Sequence, residues 1–359
     1  MRDGRVLVMG GLKLQDRFIK EAEIYDPATG QFTTTSPPSS ARAYHTATLL
    51  DDGKVLIVGG LSNHFEILSS AELFDPATNT FSDAGAMAVS RSHHAATTLP
   101  DGRALISGGF TEGSSVLALE IYDSTANAFT PAGEVSHGRG AHTATLLSSG
   151  KVLLAGGIEN DDDPGDETPT TIAELYDIAT GQVTTVADRL LPRLWHTATS
   201  LADGSVLIVG GAGAEASVVR VSQIFDPIQE EFRLAASTNV PRSSHTASTL
   251  ADGTILFTGG LSTGAQFLFS AERFFPPEPS EAPAPAEIIP EPTEVPPAPV
   301  IPPVTSGAAP PPSGGSCSAT GGHGVEVAHI VLMLAPLGLM MRTVTHGRRR
   351  DTDRNASPT

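Results

Sequence analysis

The sequence predicts an all-β protein made of six similar repeats, and three observations support this prediction. The first is a segment that suits two strands and a turn, HTATLLDDGKVLIVGG, which starts at His45. Its Thr-rich and apolar runs favour strands, and Asp52-Gly53 suits the tight turn between them. The second is a glycine pair that closes each copy of this unit, at 10–11, 59–60, 108–109, 156–157, 210–211 and 259–260.

The third observation is a phrase that follows each glycine pair after a variable loop. In the second repeat it reads AELFDPATNTF from Ala71, and it predicts a third strand, an Asp-Pro turn and a fourth strand. Repeats of about 50 residues that each hold four short strands indicate the blades of a β-propeller.

The strands of each repeat are named A to D in chain order, and the first and last repeats each miss one. Blade 1 has B, C and D, and the complete blades 2 to 5 have A strands near 45–50, 93–99, 142–147 and 196–201. Blade 6 has A, B and C, because Phe275 runs into Pro276-Pro277 and proline cannot serve inside a sheet. The prediction is a six-bladed propeller with incomplete blades 1 and 6.

The missing D and A strands would lie just upstream of Met1 in chain order. We therefore interpret the sequence as N-terminally truncated, with the missing D closing blade 6 and the missing A completing blade 1. The alternative is a working six-bladed ring with two thin blades. The first residues, MRDGRVLVMGG, enter a strand without an apolar leader. A secreted location would thus require a signal peptide upstream of this sequence.

The repeats resemble a known family in three motifs. These are the diglycine after an apolar strand, the Tyr/Phe-Asp-Pro downstream, and an Arg-x-x-His before the next strand. Together they resemble the kelch repeat, in six copies from residue 1 to about 275. Kelch propellers include the galactose-oxidase group, whose copper-radical site needs a cysteine joined to a tyrosine. Here Cys317 lies outside the repeats, and the repeated Tyr-Asp position takes Tyr25, Tyr122 and Tyr176, so the resemblance does not extend to that chemistry.

The C-terminal part of the chain predicts a stalk and an anchor rather than a further blade. Residues 276–316 are rich in Pro, Ala, Glu and Ser and predict a disordered linker. The region 317–350 holds Cys317, an apolar helix at 330–341 and a basic end, and the tail is 351–359. This order resembles the sorting signals of myxobacterial surface proteins (MYXO-CTERM type), which implies processing or anchoring at Cys317. The alternative is a disordered tail with an accidental apolar patch.

The composition limits the partners of the propeller. The formal net charge is −18, which argues against nucleic acid because phosphate binding needs a basic surface. Cys317 is the single cysteine, so the repeats have neither a disulfide nor a thiol metal site. We expect no cofactor and a monomeric propeller, with a membrane contact through the C-terminal segment.

The chain order places the B–C loops and the D–A links on one face of the ring, and this face varies between repeats. Its D–A links bring five Arg-x-x-His motifs, with Arg42, Arg91, Arg139, Arg193 and Arg242 followed by His45, His94, His142, His196 and His245. The arginines are candidate ligand-binding residues, and the alternative is pairing with the repeated glutamates of strand C. Gln223 replaces that glutamate in blade 5. One histidine per blade favours an inter-blade hydrogen bond over a metal site.

The residue before each of these histidines differs between blades. Tyr44, His93 and Trp195 are candidate binding residues at the channel mouth, and Ala141 and Ser244 fill the other two positions. Aromatic rings beside guanidinium groups suit a sugar ring or a peptide. The alternative is packing between blades.

The longest B–C loop, residues 158–171, is acidic. Asp161, Asp163 and Asp166 are candidate ligands for Ca²⁺, which prefers carboxylate oxygens, and a solvated acidic loop is the alternative. No carboxylate pair has a spacing that we can assign to glycoside cleavage.

These observations favour a module at the cell surface or outer membrane that binds a protein, peptide or surface glycan. The first alternative is a carbohydrate-active enzyme, of sialidase or epimerase type, with its site at the channel mouth. The second is a structural surface spacer.

Overall fold

The computed structural model describes residues 1–13, 17–112, 114–159, 169–186, 190–214 and 217–276. These residues form six antiparallel sheets of three or four strands, in chain order, and three two-stranded ribbons in the loops. The sheets are the blades of a six-bladed β-propeller, which confirms the fold predicted from the sequence. A 3-10 turn spans Asn63–Phe65.

The first three blades contain fifteen of the strands. Blade 1 and its ribbon hold β1 (Val6–Met9), β2 (Leu12–Lys13), β3 (Arg17–Phe18), β4 (Ala22–Asp26) and β5 (Gln31–Thr34). Blade 2 holds β6 (Thr46–Leu49), β7 (Val55–Val58), β8 (Ser70–Asp75) and β9 (Thr80–Ala86). Blade 3 holds β10 (Ala95–Thr98), β11 (Ala104–Ser107), β12 (Phe110–Thr111), β13 (Ser114–Ser115), β14 (Ala118–Asp123) and β15 (Ala128–Glu134).

The last three blades continue the same order. Blade 4 holds β16 (Thr143–Leu146), β17 (Lys151–Ala155), β18 (Ala173–Asp177) and β19 (Val183–Thr185). Blade 5 holds β20 (Thr197–Ser200), β21 (Val206–Val209), β22 (Ser222–Asp226) and β23 (Glu231–Ala235). Blade 6 and its ribbon hold β24 (Thr246–Thr249), β25 (Ile255–Thr258), β26 (Leu261–Ser262), β27 (Gln266–Phe267) and β28 (Ala271–Phe274).

Each complete blade pairs its strands in the order A, B, C and D. In blade 2 this order is β6-β7-β8-β9, and Val55 of β7 lies opposite Phe74 of β8. In the described residues blade 1 is β1-β4-β5 and blade 6 is β24-β25-β28. The first blade therefore has no A strand and the last no D strand, as the sequence predicts.

Aspartates recur in the turns because their carboxylates bind the backbone of the turn. Asp52 Oδ1 accepts the amide hydrogen of Lys54 in an A–B turn, and Asp75 Oδ1 accepts that of Ala77 in a C–D turn. Such bonds hold a tight turn without help from other elements. These repeated aspartates are accordingly structural.

Apolar side chains fill the space between consecutive blades. Leu56 and Val58 of blade 2, for example, pack in one buried cluster with Ile106 and Tyr122 of blade 3. Similar clusters join blades 1 and 2, 3 and 4, 4 and 5, and 5 and 6. The B strands are apolar on both faces because each lies between two neighbours, and each buried aliphatic side chain contributes about 1.5–3 kcal/mol.

The glycine pairs allow the D–A links to approach the B strands. At Gly59 the backbone has φ +59, and an added Cβ would lie 2.5 Å from the carbonyl oxygen of Arg91 in the next blade. At Gly60 an added Cβ would lie 2.5 Å from the carbonyl oxygen of Ala43 in its own blade. In blades 2 to 5 each pair therefore admits two links, one from each side, and any side chain would separate them.

We predict that Gly59→Ala lowers the free energy of unfolding by about 3 kcal/mol or more. Left-handed backbone costs an L-residue about 1–2 kcal/mol, and overpacking against the next link adds about 1–3 kcal/mol. Gly30→Ala is the matched control, because Gly30 has φ +68 and nothing within 4 Å of the added Cβ. Urea denaturation of both variants measures the difference, and equal losses would contradict a role in blade contact.

Candidate functional site

The B–C loops and D–A links lie together on one face of the ring. Isolated backbone bridges join them in five blades, as Ala43 with Leu61, Ser92 with Phe110, Gly140 with Ile158, Leu194 with Ala212, and Ser243 with Leu261. Each link is thus fixed against the loop of its own blade. This confirms the shared face that the chain order predicts.

The five arginines of the D–A links are directed into the blades. Each is at most 1% exposed. In four blades Nη2 donates to a strand C glutamate, as Arg42 to Glu72 at 2.7 Å, Arg91 to Glu120 at 2.6 Å, Arg139 to Glu174 at 2.5 Å, and Arg242 to Glu272 at 2.7 Å. Their position leaves no surface for a ligand, so the prediction that they bind one needs correction. The arginine–glutamate pairing considered as the alternative is what the structure contains.

The glutamate of each pair also holds the link that carries the arginine. Glu72 Oε2 accepts the amide hydrogen of Ser39 at 2.7 Å, while Arg42 Nη1 donates to the carbonyl oxygen of Gly59 at 3.0 Å. A charge-assisted pair with its other hydrogen bonds satisfied is strong, and removal of one partner from such a pair costs about 3–5 kcal/mol.

Blade 5 replaces the carboxylate by an amide. Arg193 Nη2 donates to Gln223 Oε1 at 3.0 Å and to the carbonyl oxygen of Val221 at 3.1 Å. Burial lowers the pKa of Arg193 to about 10, so the side chain stays protonated at neutral pH. A buried cation therefore sits here beside dipoles in place of a carboxylate.

The histidines of the Arg-x-x-His motifs join neighbouring blades. The Nε2 atoms of His94, His196 and His245 each lie 2.9 Å from a threonine hydroxyl of the preceding blade, and that of His142 lies 2.9 Å from Ser107 Oγ. The inter-blade hydrogen bond expected from the sequence is thus present. Across the described ranges no three His, Cys, Asp or Glu side chains converge as a metal site.

The residue before each of these histidines has a left-handed backbone. The φ angles are 54° at Tyr44, 55° at His93, 55° at Ala141, 53° at Trp195 and 51° at Ser244. Backbone hydrogen bonds of 2.9–3.1 Å join these residues from blade to blade. In each bond the amide donates to the carbonyl oxygen of the equivalent residue in the preceding blade, namely His93 to Tyr44, Ala141 to His93, Trp195 to Ala141, and Ser244 to Trp195. We call these five residues the mouth series.

Aromatic side chains of the mouth series form a partly exposed surface. The rings of Tyr44 and His93 stack with centroids 4.0 Å apart, and His93 lies 5.8 Å from the buried ring of Phe110. Trp195 packs against the same buried cluster as Phe110 and is itself half-buried. Burial lowers the pKa of His93 to about 4, so its ring is neutral at pH 7. The three rings therefore pack between blades and remain partly exposed.

Sequence reasoning placed Tyr44, His93 and Trp195 at the mouth but missed its backbone. The sequence does contain a signal for this left-handed backbone. None of the mouth series is β-branched, and β-branched residues rarely adopt a positive φ. Phe110 was also missed, although a signal for it was present, because an apolar residue follows the glycine pair in every repeat. Asp161, Asp163, Asp166 and Cys317 lie outside the described residues.

Comparisons with known proteins agree with this fold. A family model described as Kelch motif matches residues 42–88, which span the link of blade 2 and its four strands. The chain carries a kelch motif in its second blade. A solved structure titled "Structure of YjhT" matches with a TM-score of 0.58 at 14% identity, over 73% of this chain and 92% of that chain. No curated protein matches the sequence. The likeness at this identity concerns the propeller fold alone.

We predict that Gln223→Glu stabilises the propeller by about 1 kcal/mol at pH 7. The change gives Arg193 the carboxylate that Arg42, Arg91, Arg139 and Arg242 bind in their own blades. Hydrogen bonds to charged groups are worth about 1 kcal/mol more than neutral ones. Glu120→Gln in blade 3 is the reciprocal control and should destabilise. Urea denaturation compares both with the wild type, and a loss of stability in Gln223→Glu would contradict the expectation.

We predict that the propeller loses stability as pH falls from 6.5 toward 5. Burial lowers the pKa of His142 to about 3 and that of His45 and His245 to about 4, and it places that of His94 and His196 well below 6.5. In this window the unfolded chain binds protons that the folded chain does not. Each such histidine then contributes up to about 1.4 kcal/mol of destabilisation per pH unit.

The variant His142→Gln tests this linkage. It should be less stable than the wild type at pH 7.5, yet lose less stability between pH 6.5 and 5, because one linked proton is removed. Denaturant midpoints at several pH values measure both slopes. An unchanged slope would show that this imidazole is not linked to unfolding.

Proposed function

We propose that this protein is a binding module that recognises a protein, a peptide or a glycan at the mouth of the propeller. The observation that carries the proposal is the mouth series, whose backbone is constant and whose side chains differ from blade to blade. A fixed scaffold that presents variable side chains is the usual arrangement of a recognition surface.

The backbone strain of the mouth series supports this proposal. Each of the five positions has φ between 51° and 55°, where glycine would be unstrained and an L-residue costs roughly 1 kcal/mol. No blade of the five has glycine at this position. Strained positions of this kind concentrate at binding sites, which suggests that the side chains themselves are needed.

The chemistry of the mouth indicates the class of ligand. Tyr44 is 37% exposed and Trp195 is half-buried, so both offer part of a ring to the outside. The link guanidinium groups are buried and cannot serve an anion there. We therefore expect stacking on the apolar face of a sugar, or on an aromatic or proline residue of a peptide.

We further propose that the module is held at a cell surface by its C-terminal region. This rests on the sequence pattern alone, namely the Pro-rich spacer, Cys317, the apolar run and the basic end. The described residues include no helix of the length and hydropathy needed to cross a bilayer, and residues 330–341 lie outside them.

We predict that Trp195→Ala weakens ligand binding about five- to tenfold, because loss of ring stacking removes roughly 1–1.5 kcal/mol. The ligand is first identified by probing glycan and peptide arrays with the full chain, and affinities follow from calorimetry. Phe32→Ala is the matched control, since Phe32 is 59% exposed on the outer strand of blade 1. Equal losses in both variants would place the site elsewhere.

The same experiment separates the alternatives. Array hits incubated with the protein and analysed by mass spectrometry would reveal a product if the chain were a carbohydrate-active enzyme. In that case one substitution should abolish turnover, whereas a binding module should show graded losses. An absence of hits on both arrays would favour a structural spacer.

A further inference from the structure

The five D–A links that carry the mouth series are not anchored alike, and the exception is the link of blade 5. In the other four the buried arginine donates to a glutamate at 2.5–2.7 Å, whereas Arg193 donates to the amide oxygen of Gln223 at 3.0 Å. A carboxylate attracts a buried guanidinium through its charge as well as through the hydrogen bond, while an amide offers only a dipole. The blade 5 link therefore has the weakest anchor.

The amide of Gln223 also has one acceptor oxygen where a glutamate has two. In blade 2, Glu72 binds the link arginine through Oε1 and a link amide through Oε2. In blade 5 the single oxygen of Gln223 accepts from Arg193 Nη2 and also from the amide of Leu191 at 2.8 Å, because the side-chain nitrogen is only a donor. One neutral oxygen thus carries the bonds that two charged oxygens carry elsewhere.

The charge of Arg193 is not balanced by a carboxylate in the described residues. Burial lowers the pKa of Arg193 to about 10, whereas Glu120 and Glu174 oppose the effect of burial on the pKa of Arg91 and Arg139. A buried cation beside dipoles loses hydration that a carboxylate partner would offset. A shifted state of this link is therefore closer in free energy to the packed state than in the other blades.

The weakly anchored link carries the largest side chain of the mouth series. Trp195 follows Arg193 by two residues, and its ring packs against the buried cluster of Phe110, Ile158 and Leu194. These contacts are apolar and have no fixed direction, and the indole N–H donates to no group in the part of the chain that the structure describes. Because the ring is half-buried, the link must shift before a ligand can stack on its whole face.

We propose that Gln223 is a positioning residue for Trp195: its neutral amide lets the blade 5 link shift, so that the indole ring leaves its packed position and stacks on the ring of a bound ligand. This role rests on the binding function proposed above. It gives the mouth one adjustable ring besides the stacked pair of Tyr44 and His93. Since only the shifted conformation presents the full ring, the apparent affinity follows the population of that conformation.

The chain has a single tryptophan, so intrinsic fluorescence reports on Trp195 alone. Gln223→Glu supplies the missing carboxylate and should hold the ring in its packed position. We expect the rate constant for quenching by acrylamide to fall at least twofold, and deuterium exchange of the Trp195 amide to slow about fivefold. Gln229→Glu is the matched control, because it makes the same change on an exposed turn of the same blade. It should alter neither rate.

Affinity separates positioning from a purely structural role. The probe is the array glycan or peptide whose binding Trp195→Ala weakens. Gln223→Glu should weaken binding of this probe about fivefold although the variant is more stable, whereas a structural role would leave the affinity unchanged or raise it.

Unchanged quenching and exchange in Gln223→Glu would overturn the proposal, and so would an unchanged affinity when both rates have fallen. If no array member binds, the binding function fails. The quenching and exchange rates then still decide whether Gln223 controls the position of Trp195.

Discussion

The buried arginine of the D–A link is the interaction on which the rest of the propeller depends. Through Glu72, for example, it fixes the link to strand C of its own blade, and through the Gly59 carbonyl it fixes the link to strand B. The histidine three residues later then lies against the blade before. One cation thus sets the geometry within a blade and between blades, and the glycine pair provides the space that both contacts need.

The same link positions the five residues of the mouth series. Because the arginine and the histidine are held on either side, the residue just before the histidine adopts a left-handed backbone whatever its side chain. Its peptide group binds the equivalent group of the neighbouring blade. Constant packing and side-chain variation are therefore separated within one short segment, since the constant residues are buried and the variable one is at least partly exposed.

Much of the fold could be predicted from the sequence, because the residues that its repeats share are those that the backbone of each blade requires. The glycine pair, the turn aspartates and the alternation of apolar strands specify blades. In the part of the chain that the structure describes, blade 1 has no A strand and blade 6 no D strand, as the sequence predicts. The direction of the arginines could not be predicted, since a repeated Arg and a repeated Glu suit a surface as well as a buried pair. Burial of Arg193 beside Gln223 shows that position in the link, more than the carboxylate, decides this direction.

Contacts between blades follow the chain in a single direction, and this has a mechanical consequence. Each blade from 2 to 6 places its link on the glycine of the blade before it, while Gly259 of blade 6 supports no link in the described residues. A pulling force transmitted through residue 276 would act first on β28, which within the described residues pairs only with β25. Blade 6 would therefore unfold before the other blades, and its unfolding would lengthen the chain. Blades 2 to 5 would keep their contacts with one another, and most of the mouth series would keep its structure.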